Sequence, residues 1–380
     1  MAPRPTYDPG PTIAHAGGIN IGTPDLQKSL WFFRDIFGME VTAEDDGVAY
    51  LRGYQERIHH SLVLTQQDEA RINAMSLRVS RPQDVELFHD QFVEEGIEVR
   101  HVGAGAELGR GEAVRLLLPG GGHPLELYYG IDRPLAPEGM RSKLFGNSSI
   151  RRGLGVQRID HLNIQTSTQN MAQAEGWLRE SLGMKRREAM MLPDNPDVPY
   201  VSWLSVNSKL HDIAIGSSMT GEDAQFHHVA FALENMHDVL TAVDQLRDLG
   251  IQIDAGPGKH GVGQAMYLYV RDPGSGYRIE LYTGGYPFFD PDHEPLVWEP
   301  KDMTYGMTWY GDNPLVHADT SRYQETMPVA GRGPRQFTEN SKARIFPPWL
   351  CSAVSATLET VASIGRARSS ATFLSQNTSK

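Results

Sequence analysis

Two short stretches decide the fold of this chain: Arg278-Ile279-Glu280-Leu281-Tyr282 and, some 150 positions earlier, Pro124-Leu125-Glu126-Leu127-Tyr128. Each is β-patterned, and each closes a series of elements that the other half repeats. Working outward, Val85, Phe88 and Phe92 lie on one helical face before Glu95-Gly96-Ile97-Glu98-Val99, as Val239, Val243 and Leu246 do before Leu249-Gly250-Ile251-Gln252-Ile253. A glycine at the end of both helices reads as a C-terminal cap. Further out, Ile19-Asn20-Ile21 precedes Leu26, Leu30, Phe33 and Phe37, ending in Gly38-Met39. Asn163-Ile164 precedes Met171, Ala174, Leu178 and Leu182, ending in Gly183-Met184. Matched pairs of this kind mark an internal duplication.

A helical period alternating with short β-branched and aromatic runs predicts, in each half, two copies of a strand, helix, strand, strand, strand unit. The fold class is α+β. Residues 1–145 read as the first domain and 155–286 as the second, joined by Gly146-Asn147-Ser148-Ser149 and Arg151-Arg152-Gly153. The Pro- and Trp-bearing stretch 287–329 reads as an ordered extension. From 330 to 380 the pattern dissolves into Ser, Thr, Ala, Gly and Arg, the composition of a disordered tail.

Bulk properties narrow the function. With 40% apolar and 22% charged residues, 380 residues suffice for two domains with ordinary cores. A net charge of -12 repels phosphate backbones and anionic lipid, which argues against nucleic acid and membranes as partners. The single cysteine, Cys351, excludes an internal disulfide framework and a cysteine-built zinc or iron-sulfur site. Met1-Ala2-Pro3-Arg4-Pro5 is not followed by an apolar stretch, so no signal peptide is read and a cytoplasmic, reducing location is expected.

Three polar residues interrupt the β-patterned runs of the second half: His161 in Ile159-Asp160-His161-Leu162-Asn163, His228 in Phe226-His227-His228-Val229, and Glu280. Singly, each is better explained as a hydrogen-bonded core residue. Together, on three strands related by the repeat, they are two imidazoles and a carboxylate, the set that holds a non-haem divalent iron on one face and leaves the other open. Aligning the halves puts Gly18 opposite His161, Ala74 opposite His228 and Glu126 opposite Glu280. The first half therefore keeps one ligand of three, and only the second can own the metal. Glu126 and the pair His59-His60 are read as structural.

Strand alternation puts Asn163 on the face of His161, Tyr267 with Tyr269, and Glu280 with Tyr282. His211 interrupts the apolar Leu210-His211-Asp212-Ile213-Ala214-Ile215, and His260 lies in the glycine-rich loop Gly256-Pro257-Gly258-Lys259-His260-Gly261. His227 reads as an outer partner of its neighbour. For Tyr269 and Trp203, core packing and substrate lining weigh equally.

His260, Leu268-Tyr269, Asp272-Pro273, Gly276 and Glu280 together resemble the signature of the vicinal oxygen chelate superfamily, and within it the type I extradiol ring-cleaving dioxygenases. The stretch Asp272 to Glu280 holds one residue more than the usual turn. The similarity runs from about residue 12 to 320 and is nearest to homoprotocatechuate and catechol 2,3-dioxygenases. It implies two domains, each a pair of βαβββ modules in a curved mixed sheet around a cavity. It implies Fe(II), or Mn(II) in some relatives, on His161, His228 and Glu280. The partners would be a catechol and O2, cleaved beside the diol to a muconic semialdehyde, in a homo-oligomer. His211 would be the acid/base residue, His260 and Tyr269 would hydrogen-bond the oxygens, Asn163 and Trp203 would line the oxygen side, and Asp272 would support from outside. Homoprotocatechuate enzymes carry arginines where this chain has Ala255 and Gly306-Met307, which points to a neutral alkyl-, aryl- or halo-catechol unless Lys259 or Arg271 substitutes. Two rival readings share the module: a Zn or Ni isomerase or lyase of the glyoxalase type, and a metal-free binding protein.

Overall fold

Alternation of apolar and polar residues, broken by turns, lays down one strand order twice. A computed structural model describes residues 10–311, except Phe145, Ser149, Pro193 and Asp194, and the strand Met327–Pro328. The first nine residues, most of 312–329 and the 330–380 segment read as a tail lie outside the described residues.

The N-terminal half supplies β1 (Ile13–Thr23), β2 (Glu40–Asp45), β3 (Val48–Arg52), β4 (Leu62–Gln66), β5 (Arg71–Val79), β6 (Val99–Val102), β7 (Ala113–Leu117) and β8 (Pro124–Tyr128), hydrogen-bonded in the order β2-β3-β4-β1-β5-β8-β7-β6. The C-terminal half supplies β9 (Arg158–Thr166), β10 (Lys185–Leu192), β11 (Asn195–Ser205), β12 (Ile213–Ser217), β13 (Gln225–Ala232), β14 (Ile253–Lys259), β15 (Ala265–Arg271) and β16 (Arg278–Gly284). Their order, β10-β11-β12-β9-β13-β16-β15-β14, is the same. Three short strands extend this second sheet: β17 (Leu296–Trp298) beside β10, β18 (Tyr310–Gly311) beside β14, and β19 (Met327–Pro328) on β13. Helices α1 (Leu26–Leu30), α2 (Asp84–Glu94), α3 (Thr168–Glu180) and α4 (Met236–Asp248) each follow the first strand of a module, and α5 (Met303–Met307) belongs to the extension. This is the duplicated βαβββ plan expected from the sequence.

The repeat extends to backbone detail. Gly96 and Gly250 end α2 and α4 with φ of +74° and +68°, the left-handed geometry that a side chain disfavours. Behind them Ile97 N–H donates to Phe92 O and Ile251 N–H to Leu246 O, both at 2.9 Å. The first helix differs from expectation. After α1 the chain widens into a π-type turn over Trp31–Ile36, in which Phe37 N–H reaches back five residues to Phe32 O. The extra residue in the turn brings Phe32 inward beside Phe33 and Phe37, a face that simple helical spacing does not yield. Phe33 and Phe37 then meet Phe231 of the other half, with ring centroids 6.0 and 6.3 Å apart.

A second tie between halves is titratable. His123, in the β7–β8 connection, is fully buried, and its Nε2–H donates to Gln225 O at 2.9 Å. Burial lowers its pKa to about 4. The unfolded chain therefore takes up this proton near pH 6.5 while the folded chain resists it, so stability is lost as the pH falls from 6.5 towards 4, by up to about 3 kcal/mol for this group. His123→Leu is expected to narrow the gap in urea midpoint between pH 7 and pH 4.5; an unchanged gap would refute the assignment.

Candidate metal centre

Strand register assembles the site. Antiparallel β9 and β13 pair His161 with Ala230 and Asn163 with His228, and parallel β13 and β16 pair Ala230 with Glu280. Paired residues on neighbouring strands share a face. His161, Ala230 and Glu280 thus form a row, and the small Ala230 leaves room for the outer two to meet over it. His228, two residues before Ala230, points to the same side, next to a bulge between Phe226 and His228. The N-terminal half has the same register: Gly18 pairs with Ser76, Asn20 with Ala74, and Ser76 with Glu126. The alignment of halves read from the sequence is the pairing of the strands.

His161 Nε2 lies 2.9 Å from Glu280 Oε2, His228 Nε2 lies 3.2 Å from the same oxygen, and the two nitrogens are 3.3 Å apart. An ion bonded at about 2.1 Å along mutually perpendicular directions needs donors about 3.0 Å apart. The donors fit a divalent cation on one triangular face. All three side chains are buried, at 1–2% exposure. Burial would push the Glu280 carboxyl up, but His228 and the hydrogen bonds from His161 and His228 outweigh it and hold the pKa well below the usual range. Burial lowers the His228 pKa to about 4, so the ring is a neutral donor at pH 7. For His161 burial is outweighed by the bonds to Asp160 and Glu280, and its pKa is raised.

Outside the triad, Asp160 Oδ1 accepts from His161 Nδ1 at 3.1 Å, and Lys209 donates to the Asp160 carbonyl at 2.5 Å. A carboxylate behind a ligating imidazole fixes the tautomer and raises basicity. Strand alternation sets Asp160 on the face opposite His161, so adjacency in sequence was the only signal for this role. His227 Nδ1 lies 2.6 Å from His228 Nδ1, and Arg278 Nη1 lies 2.9 Å from His227 Nε2. Asp272 stands elsewhere. Its buried carboxylate accepts from Ser29 Oγ and Ser275 Oγ, both at 2.6 Å, and from Gly274 N–H, so it braces the β15–β16 turn against α1.

The remaining residues gather round the triad. The His211 ring centroid is 3.9 Å from that of His161, and its buried Nδ1 has no hydrogen-bond partner among the described residues. Burial, then His161, holds His211 well below the ordinary histidine range, so the ring is neutral at pH 7 rather than poised between two states. His260 stacks on Tyr267 at 4.0 Å, donates from Nδ1 to Met307 O, and accepts from Tyr269 O–H at 3.1 Å. The Tyr269 ring lies 5.2 Å from that of His228. Trp203 pairs across strands with Ala214, which pairs with Asn163, placing all three on the face of His228. Glu188, on β10, carries no motif and went unread. It is fully buried and accepts from Gly263 N–H, Tyr286 O–H and Trp298 Nε1–H at 2.6–2.8 Å, fastening the His260 loop to the extension.

In the N-terminal half, the carboxylate matching Glu280 has a guanidinium for its cation. Glu126 accepts from Arg110 Nη1 and Arg115 Nε, both at 2.6 Å, and from Ser76 Oγ at 3.0 Å. Arg110 lies 3.7 Å over the Tyr128 ring and 2.8 Å from His60 Nε2.

The fold and site define a class, and comparison with known proteins agrees. The chain belongs to the Glyoxalase/Bleomycin resistance protein/Dioxygenase superfamily, whose pattern matches residues 12–106 and 158–281. It is 42% identical over 302 residues to a manganese-dependent 2,3-dihydroxybiphenyl 1,2-dioxygenase of Geobacillus genomosp. 3, covering 79% of this chain and 94% of that one. It is 31% identical over 312 residues to a metapyrocatechase of Geobacillus stearothermophilus, covering 81% and 91%. The homoprotocatechuate 2,3-dioxygenase structure from Arthrobacter globiformis superposes with a TM-score of 0.73 at 31% identity, covering 87% and 96%. Within the superfamily this chain is an extradiol ring-cleaving dioxygenase, an oxidoreductase.

Proposed function

We propose that the chain cleaves a neutral aryl- or alkyl-catechol beside its diol, adding both atoms of O2 to give a muconic semialdehyde, with Fe(II) or Mn(II) on His161, His228 and Glu280. The observation that carries this is the buried triangle of donors with 2.9–3.3 Å edges, set among His211, His260 and Tyr269. His161, His228 and Glu280 would hold the divalent ion, which would supply Lewis-acid and redox chemistry to the diol and dioxygen. Asp160 and His227 orient the imidazoles from behind. His211, whose ring lies 3.9 Å from that of His161, takes a proton from the reacting oxygens and returns it. His260 and Tyr269 form one hydrogen-bonded pair whose tyrosine hydroxyl can turn to a substrate oxygen. Asn163 and Trp203 line the wall on the His228 face.

The residues at the clamp positions support a neutral ring. Ala255 is buried and uncharged, and Gly306 and Met307 offer no cation. Arg271, which could have substituted, donates to Asp254 at 2.6 Å. The similarity to a dihydroxybiphenyl enzyme points the same way. A homo-oligomer is supported by exposed Phe289, Val297, Tyr305 and Trp309 on the extension, and light scattering tests it. No described helix is long and apolar enough to cross a membrane; the single cysteine in 380 residues supports a reducing, cytoplasmic location.

The test is anaerobic loading with Fe(II) or Mn(II), then oxygen and a panel of catechols. Biphenyl-2,3-diol and alkylcatechols are expected to give oxygen uptake and a yellow product at higher kcat/KM than 3,4-dihydroxyphenylacetate; the reverse order would refute the neutral-substrate reading. His211→Phe is expected to keep its metal yet slow turnover by about 10²-fold or more. Unchanged turnover would remove His211 from the chemistry.

A further inference from the structure

The N-terminal half lacks the buried triad, but it carries a different set of donors on its surface. Glu86 and His89 stand three residues apart on α2, hence on one helical face. His101 comes from β6, the edge strand of the first sheet. One donor atom from each of the three lies within 4.8 Å of the others. The two imidazole rings lie 4.0 Å apart with 31° between their planes, and His101 Nε2 is 3.6 Å from Glu86 Oε2. Asp90 Oδ1 lies 3.2 Å from His89 Nδ1, an outer carboxylate that fixes one nitrogen as donor and leaves Nε2 to ligate. The acids of α2 are Asp84, Glu86, Asp90 and Glu94, with no lysine or arginine among them, so the helix favours a cation.

We propose that Glu86, His89 and His101 form a second metal site, taking a divalent ion of the zinc, nickel or copper type and completing its shell with water. Two imidazoles and a single carboxylate suit these borderline ions better than calcium or magnesium, which want oxygen donors. The site differs in kind from the triad. Its side chains are solvent-accessible, at 63%, 21% and 50% for Glu86, His89 and His101, where those of the triad are buried. The ion acts as a clip, joining a helix to the edge strand twelve residues further along the chain, and stabilises this half by binding the folded form alone.

The test uses Mn(II)-loaded full-length protein titrated with ZnCl2 by calorimetry, while free Mn(II) is followed by electron paramagnetic resonance. The expected result is one equivalent of Zn(II) bound with Mn(II) retained, and a rise in Tm. His101→Ala and, separately, Glu86→Gln should weaken this binding by about tenfold or more and remove the Tm rise. Catechol turnover without added zinc should match the parent protein in both variants. Zinc uptake matched by Mn(II) release, no zinc uptake, or equal zinc affinity in His101→Ala would each overturn the proposal.

Discussion

Glu280→Ala is expected to leave the protein folded, without its divalent metal, and slower in ring cleavage by about 10³-fold or more. The carboxylate is the one donor that touches both imidazoles, at 2.9 and 3.2 Å, and the only one to bring a negative charge to the cation. Removing it leaves two neutral rings, which hold a borderline ion loosely. A Lewis-acid contribution of several kcal/mol goes with the ion, and every 1.36 kcal/mol is a factor of ten in rate. Glu280→Gln, which keeps an oxygen donor but not the charge, should fall between the parent and the alanine variant. Metal analysis and oxygen uptake on the same preparations decide the matter. Stoichiometric metal with full turnover in Glu280→Ala would show that the ion binds elsewhere.

The second large effect lies in the N-terminal half. Arg110→Met is expected to destabilise the protein by about 3–5 kcal/mol and lower Tm by about 10 °C, because it strips a buried carboxylate of its partner. Glu126 is 1% exposed, and Arg110 meets it at 2.6 Å while also reaching Glu107 at 3.1 Å. Arg115 remains but is partly solvent-exposed and cannot neutralise both acids. Adding Glu126→Gln to Arg110→Met should restore part of the loss, as removal of both members of a pair does. Thermal melts of the two variants check this, with metal content measured alongside. A melting temperature equal to the parent in Arg110→Met would mean that the buried carboxylate finds another partner.

This guanidinium explains why the N-terminal sheet does not repeat the buried triad. Where the second half has His161 and His228, the first has Gly18 and Ala74, and the surviving carboxylate is satisfied by a cation from the chain itself. The loss of two ligands was visible in the sequence. The replacement was not, because Arg110 is sixteen residues from Glu126 in a loop with no periodicity to place it.

Much of the site could be read before any coordinates, for a definite reason. Side-chain alternation along a strand and the 3.6-residue helical period are local properties, and a duplication doubles every such signal. The triad lies within β-patterned runs, so its strands and face followed from spacing, whereas His211, just before β12, and His260, just after β14, stand outside the strands and drew their roles from the resemblance. The contacts of Asp160 and Asp272 were not legible in this way: alternation put Asp160 on the far face, and the resemblance gave Asp272 only an outer supporting role. Alternation says which way a Cβ points but not how far a carboxylate bends back to its neighbour, nor that a turn will dock on Ser29, 243 residues away.

By itself, then, the amino-acid order determined the repeated βαβββ plan and set two imidazoles and a carboxylate on repeat-related strands of the second half. Tertiary packing alone decided that His161 and Glu280, 119 residues apart, close to 2.9 Å. It also decided that Glu188 fastens the extension to the His260 loop, and that an arginine fills the other half's vacated role. The reason is range: period and propensity act over a few residues, whereas hydrogen-bond partners across the sheet are chosen only when every buried polar group must be satisfied at once.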